Sequence, residues 1–214
     1  MGDPTSLRDR VLAAAAARPS ATRRRARAVA AGLAAVSVAV SVAVFEGVGG
    51  FRHGAGRPLG LTLAFVAGWV AACGALTWII LGRGRSTLAR RPAVVVAALA
   101  AAPLVLFVWT QIFYGAYPEP YQAVGLRCLR YTLFAAALPL ASILVLRRGV
   151  EPRRPSILGA GAGVVSAAWA GVMVDLWCPL THPAHVLVGH VAPLVVGAVV
   201  GAAVGRPLLG GAVR

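Results

Sequence analysis

PAVVVAALAAAPLVLFVWTQIF, residues 92–113, is an unbroken run without a single charged side chain. At a rise of about 1.5 Å per residue, a helix of roughly 20 residues crosses the ~30 Å hydrocarbon core of a bilayer. Five further apolar runs of similar length occur along the chain, so we predict an all-α, polytopic integral membrane protein with six transmembrane helices. The predicted spans are 28–45, 59–81, 92–113, 128–146, 157–177 and 184–204.

The composition agrees with a membrane protein and disfavours a nucleic-acid-binding one. Apolar residues make up 59% of the 214 residues and charged residues 13%, whereas a soluble domain has about 25% charged residues. The net charge is +15, but the arginines flank the apolar runs and do not alternate with aromatics along one face. We therefore expect them to contact anionic membrane lipids, with no direct nucleic-acid partner.

The arginines also predict how the chain is oriented in the membrane. Seven lie in residues 1–27, four in the loop after the second span, four after the fourth span and two in the tail, which makes seventeen on one side. The other side has Arg52, Arg57, Arg127 and Arg130. The positive-inside rule therefore places both termini in the cytoplasm. The predicted domains are a basic head (1–27), a transmembrane domain (28–205) and a tail (206–214).

The basic head is longer than membrane insertion requires. Helix-start residues near Pro4 and Ser6 predict a short amphipathic helix with Leu7, Val11 and Leu12 on one face beside Arg8. Such a helix can lie on the inner leaflet or dock on a cytosolic protein. In the second interpretation, the partner-binding residues are Leu7, Arg8, Val11 and Leu12.

Glycines within the last two spans predict close helix packing. Gly197, Gly201 and Gly205 recur every four residues, and span five contains Gly159 and Gly163. A stripe of small residues lets two helix backbones approach each other in a membrane. Together with short connections between spans, this pattern predicts an up-and-down six-helix bundle.

Cysteine and histidine residues concentrate at the predicted outer face. Cys128 begins span four and Cys178 ends span five, so antiparallel spans place both thiols at similar depth. His182, His185 and His190 follow closely in the chain. Three of the four histidines and two of the three cysteines thus lie near one membrane surface.

Three explanations of this cluster stay open on the sequence alone. Cys128 and Cys178 could form a redox or sensor pair, since the compartment outside the bacterial inner membrane is oxidising. Cys178, His182, His185 and His190 could bind zinc or copper, which accept thiolate and imidazole ligands. The residues could also pack or cap helices at the interface, in which case no cofactor is expected.

Asp175 is the one acidic residue within the predicted spans, one turn before Cys178. A carboxylate at this depth is a functional candidate. We expect an ion pair with Arg127 or Arg130, which lie at the same end of span four, and a relay or ligand role is the alternative.

The chain carries no complete catalytic signature. It has no Gly-rich phosphate loop, no His-Glu-x-x-His and no nucleophile with a positioned base. We therefore expect a protein that is not an enzyme. The alternatives are a small membrane enzyme or metal-handling protein that uses the Cys/His cluster, and a scaffold subunit of a membrane complex.

Several short motifs over residues 125–210 resemble one known family. They are Arg127-Cys128, Leu138-Pro139-Leu140, Arg147-Arg148-Gly149, the Gly-Ala repeat at 159–163, Cys178-Pro179 and a Gly-rich end. They resemble the negative regulator of sigma F family, six-span anti-sigma factors of the bacterial inner membrane.

The resemblance carries specific expectations. It implies that the chain retains an extracytoplasmic-function sigma factor through its cytoplasmic head and loops. It also implies that Cys128 and Cys178 sense oxidative or metal stress. The histidine-rich segment from Cys178 to His190 departs from the family pattern.

Overall fold

The computed structural model describes residues 9, 20–47, 58–81, 92–115, 124–147, 154–178 and 180–210. These residues form helices and contain no strand. The helices are α1 (Ser20–Gly47), α2 (Leu59–Leu81), α3 (Pro92–Tyr114), α4 (Leu126–Arg147), α5 (Pro155–Trp177), α6 (Pro183–Val186) and α7 (Ala192–Gly210), with a π-helical turn at Leu187–Val191 between the last two.

Six helical segments are long and apolar enough to cross a membrane. The all-α, six-span prediction is therefore confirmed. The sixth segment, Pro183–Leu209, combines α6, the π-helical turn and most of α7. The first helix begins at Ser20, so the arginines before the first span continue the same helix.

The centre of the bundle is α5. In an apolar window of 18 residues within α5, 72% of the residues are buried, against 11% in the corresponding window of α1. Helices α2, α3, α4 and α7 all contact α5. Small side chains make this possible, since Ala162, Ala167 and Ala168 are almost fully buried. In lipid, small residues rather than large apolar ones allow helices to approach each other closely.

Helices α5 and α7 approach each other through glycine backbones. A methyl group on Gly159 would overlap the carbonyl oxygen of Gly201, and one on Gly163 would overlap that of Gly197. A methyl group on Gly197 would lie 2.7 Å from the carbonyl oxygen of Gly163. The predicted glycine stripe is thus the contact surface between the fifth and sixth spans.

Helix α1 packs mainly against α4, not against its neighbour in sequence. The Ser142 hydroxyl on α4 donates a buried hydrogen bond of 2.9 Å to the Ala30 carbonyl. No contact joins α1 and α2 in the described parts of the chain. Helix α1 therefore docks on the fourth span and not on the next span in the chain, a choice of neighbour that short connections do not determine.

The predicted partner-binding residues of the head lie outside the described residues. They are Leu7, Arg8, Val11 and Leu12. Their role stays a prediction.

Candidate functional site

Three segments of the chain bring thiols and imidazoles together at one end of the bundle. Cys128 lies in the first turn of α4, and Cys178 directly follows α5. His185 lies on α6 and His190 on the π-helical turn. All four side chains are buried, with exposed fractions of 3%, 9%, 3% and 4% in chain order. One potential ligand atom from each lies within 4.8 Å of the other three.

The His185 ring contacts both thiols. Its Nε2 is 3.2 Å from the Cys178 sulfur and 3.5 Å from the Cys128 sulfur. The two sulfurs are 3.5 Å apart. Hydrogen bonding with Cys128 and burial both raise the pKa of the Cys178 thiol.

The π-helical turn explains why His185 and His190 can share one site. In an α-helix, residues five apart are separated by about 140° around the axis, because each residue advances by about 100°. A π-helical turn bonds residue i to i+5 and so brings such residues onto one face. The Ala192 N–H donates to the Leu187 carbonyl in this way. The two imidazole centroids are 5.5 Å apart.

Pro193 gives a local reason for the wider turn. A proline has no N–H for the carbonyl four residues earlier, and its ring clashes with that carbonyl. Here that carbonyl belongs to Gly189, within the π-helical turn. The five-residue spacing of the histidines followed by Pro193 is therefore a signal in the sequence that an α-helical interpretation overlooks.

Gly125 lets the start of α4 approach the sixth span. It has φ +87°, in the left-handed region that favours glycine. A methyl group there would lie 2.6 Å from the His185 carbonyl oxygen and 2.8 Å from the Gly189 nitrogen. The two backbones therefore meet without an intervening side chain, and Cys128, three residues later, comes next to His185.

His182 is separate from this group. It is the N-cap of α6, where its Nδ1 accepts a hydrogen bond of 3.3 Å from the Ala184 N–H. Pro183 occupies the first helical position, which suits its fixed φ. The structure therefore groups Cys128 with Cys178, His185 and His190, whereas the sequence interpretation had His182 in the metal set and kept Cys128 apart as a redox partner.

Asp175 contacts His190 and not the predicted arginines. Its Oδ1 is 2.5 Å from the His190 Nδ1. The guanidinium of Arg127 lies instead 5.6 Å from the Tyr131 ring centroid and 5.1 Å from that of Trp177. Arg130 is exposed. The expected pairing with Arg127 or Arg130 is corrected, because Asp175 faces the sixth span while Arg127 finds aromatic faces at the helix end.

The donor set fits a soft or borderline metal ion. Two thiols and two imidazoles are the ligands of common four-coordinate zinc sites, and copper also accepts them. The His190 Nε2 is buried and lacks a hydrogen-bond partner among the described residues. A buried nitrogen of this kind is costly unless something binds it. The cluster can therefore hold a metal, and its two sulfurs can also approach each other as a redox pair.

Comparison with known proteins identifies one family. The model of the NrsF family, described as negative regulator of sigma F, matches residues 12–210. The match includes all six spans and all four residues of the Cys/His cluster. No curated protein and no solved structure matches the chain.

Proposed function

The chain belongs to the NrsF family of negative regulators of sigma F, and from this premise we propose how it regulates its sigma factor. It is an anti-sigma factor of the bacterial inner membrane that retains an extracytoplasmic-function sigma factor at the cytoplasmic face. It releases this partner when the Cys/His cluster at the outer face binds a metal ion or is oxidised. The family supports the sigma-factor partner, and the six membrane-spanning helices support retention at a membrane.

The orientation rests on the distribution of arginines. Seventeen of the 21 basic residues lie in segments that share a side with the two termini, so this side faces the cytoplasm. The Cys/His cluster then faces the outside, since α4 begins and α5 ends there. The sigma-binding surface lies on the opposite side, in the head and the arginine-rich loops.

The convergence of Cys128, Cys178, His185 and His190 is the observation that carries the sensing function. These four buried donors lie within 4.8 Å of one another. Helix packing alone does not require such a group, since apolar side chains would fill the same space without needing hydrogen-bond partners. We favour zinc or monovalent copper as the metal on the basis of ligand softness. The four side chains would hold the ion, which would supply a strong link between three separate segments of the chain.

A redox signal is the second candidate, and the distance of 3.5 Å between the two sulfurs favours it. With a peroxide as oxidant, a bond would form between the Cys128 and Cys178 sulfurs. The two thiols would lose two protons and two electrons, and hydrogen peroxide would leave as two water molecules. Either signal ties the start of α4 to the end of α5.

A regulatory role also agrees better with the donor set than catalysis does. Structural zinc sites use four protein ligands, whereas catalytic sites keep one position open for water or substrate. Here four side chains are available for four positions. We therefore propose that the chain is not an enzyme.

Helix α1 provides a physical connection from the cluster to the cytoplasmic head. Phe45, near its outer end, packs against the group formed by Cys128, Val174, Trp177 and Cys178. The same helix continues without a break to Ser20. Its burial is the lowest of the six spans, and weakly packed elements move at the least cost in free energy. A change around Cys128 can thus shift α1 and the head attached to it.

The test is co-purification of the sigma factor with the full-length protein in detergent. Retention is compared in reducing buffer alone, with added zinc or copper(I), and after brief exposure to hydrogen peroxide. We expect the wild type to lose its sigma factor under at least one of these signals. The double variant Cys128→Ser with Cys178→Ser should keep it under all of them.

Cys73→Ala is the matched control. Cys73 is the third cysteine, buried within α2 and outside the four-residue group. This variant should release the sigma factor as the wild type does. Release from the double variant would contradict the sensing role of the cluster, and absence of any co-purified sigma factor would contradict retention itself.

A further inference from the structure

We infer that Asp175 is a positioning residue that fixes the His190 ring so that its Nε2 binds the metal. This inference rests on the metal site of the proposed function. Asp175 forms its ion pair with His190, and it would act on the metal through this residue.

The contact between Asp175 and His190 joins two separate helical segments. The Asp175 Oδ1 on α5 lies 2.5 Å from the Nδ1 of His190 on the π-helical turn. The exposed fractions of the two side chains are 13% and 4%. When the imidazole is neutral, the nearby carboxylate favours the tautomer with its proton on Nδ1. This tautomer would leave the lone pair on Nε2. Both ring nitrogens are buried and have no hydrogen bond of acceptable geometry within the described residues, so Nε2 is available to a metal.

A carboxylate paired with a ligating histidine has a known role in metal sites. A ligating histidine generally donates its second ring N–H to a carboxylate, a carbonyl or water, which fixes the tautomer and the ring orientation and raises the basicity of the ligand. Loss of such a partner commonly weakens metal affinity by about 10- to 100-fold. A carboxylate buried within a membrane span is expensive, and orientation of a ligand explains its presence better than a surface ion pair would.

A purely structural bond between α5 and the sixth span is the competing explanation. It predicts that removal of Asp175 lowers the stability of the metal-free protein and leaves the intrinsic metal affinity of the folded protein unchanged. A positioning role predicts a loss of affinity and a changed ligand field. Metal titration and spectroscopy of folded protein separate the two.

The variants are Asp175→Asn and Asp175→Leu in the full-length protein in detergent micelles, titrated with zinc and with cobalt(II). Glu46→Gln is the matched control, because Glu46 is an exposed acidic residue near the same end of the bundle. We expect about 10- to 100-fold weaker zinc binding for Asp175→Leu. Asp175→Asn should lose less, since its side-chain oxygen still accepts from the imidazole N–H. Glu46→Gln should bind as the wild type does.

Cobalt(II) supplies a spectroscopic readout that a structural role would not move. The visible d–d bands should shift in Asp175→Leu, while thiolate-to-metal charge transfer persists because both cysteines remain. In a His190→Ala background, Asp175→Leu should have no additional effect on affinity. Unchanged affinity and bands in both Asp175 variants would overturn the positioning role alone. Failure of the wild type to bind either metal would overturn this role together with the metal site, and the redox function would remain.

Discussion

A single methyl group at Gly125 should disrupt the Cys/His cluster without touching any of its four donors. In Gly125→Ala the new Cβ would lie 2.6 Å from the His185 carbonyl oxygen, where ordinary carbon–oxygen contacts are about 3.3 Å. The backbones must therefore separate by roughly 0.7 Å. In addition, φ +87° costs a residue with a Cβ about 1 to 2 kcal/mol.

The displacement is large relative to the tolerance of a metal site. Metal–ligand distances hold within about 0.2 Å, so a shift of roughly 0.7 Å between Cys128 and His185 cannot be absorbed at full affinity. Overpacking contributes about 1 to 3 kcal/mol, which together with the backbone strain makes about 2 to 5 kcal/mol. If about 1.4 kcal/mol of this total affects the site, zinc affinity falls tenfold.

The assay is zinc competition against a chromogenic chelator, with thermal unfolding measured on the same micellar samples. Gly74→Ala is the control, since a methyl group at Gly74 meets nothing within 4 Å. We expect at least tenfold weaker zinc binding in Gly125→Ala and unchanged binding in Gly74→Ala. Equal affinity in the two variants would refute the argument that the Gly125 backbone contact sets the position of Cys128.

Three further predictions follow from the same contacts. Gly163→Ala should lower stability by about 1 to 3 kcal/mol, because its methyl group overlaps the Gly197 carbonyl. The control is Gly171→Ala, whose methyl group would have free space. Equal thermal unfolding of the Gly163→Ala and Gly171→Ala variants would contradict glycine-mediated packing. Zinc at 100 times its dissociation constant should stabilise the wild type by about 2.7 kcal/mol, and an equal gain in Cys178→Ser would argue against Cys178 as a ligand. Phe45→Ala should keep zinc affinity but weaken signal-dependent release of the sigma factor, because Phe45 packs against the group around Cys128. The control is Val38→Ala at an exposed position of the same helix, which should leave both zinc affinity and release unchanged. Equal release from the two variants would exclude transmission through Phe45.

The sequence predicts the spans well because membrane insertion depends on local properties. Length and apolar content are sufficient to locate a spanning helix. Hydropathy could not predict that α1 starts at Ser20, because an arginine-rich segment can be helical without lying in the bilayer. Likewise the docking of α1 on α4 depends on shape and on the Ser142 hydrogen bond, which no hydropathy pattern encodes.

The candidate site was predictable only where it depends on the order of the spans. Antiparallel spans place Cys128 and Cys178 at the same end, so their similar depth follows from counting spans, whereas their contact depends on how α4 and α5 pack. The positions of His190 and His182 do not follow, because one depends on a π-helical turn and the other on an N-cap. Asp175 was assigned an arginine partner from depth alone, whereas the direction in which the side chain faces determines that His190 is its partner.

The distribution of the four donors predicts which helix would move on metal binding or oxidation. Cys178 directly follows α5, and His185 and His190 belong to the sixth span. Glycine contacts hold α5 and the sixth span together. Cys128 alone belongs to α4.

A groove of about 490 Å³ runs between α4 and the α5–α7 pair, lined by residues that include Leu144, Ser166 and Val204. A metal ion or a disulfide at the Cys/His cluster would hold the first turn of α4 against the end of α5 and the sixth span. Because the groove borders the rest of α4, we expect the same event to change the tilt of α4, and we expect α1 to follow through the Ser142–Ala30 hydrogen bond.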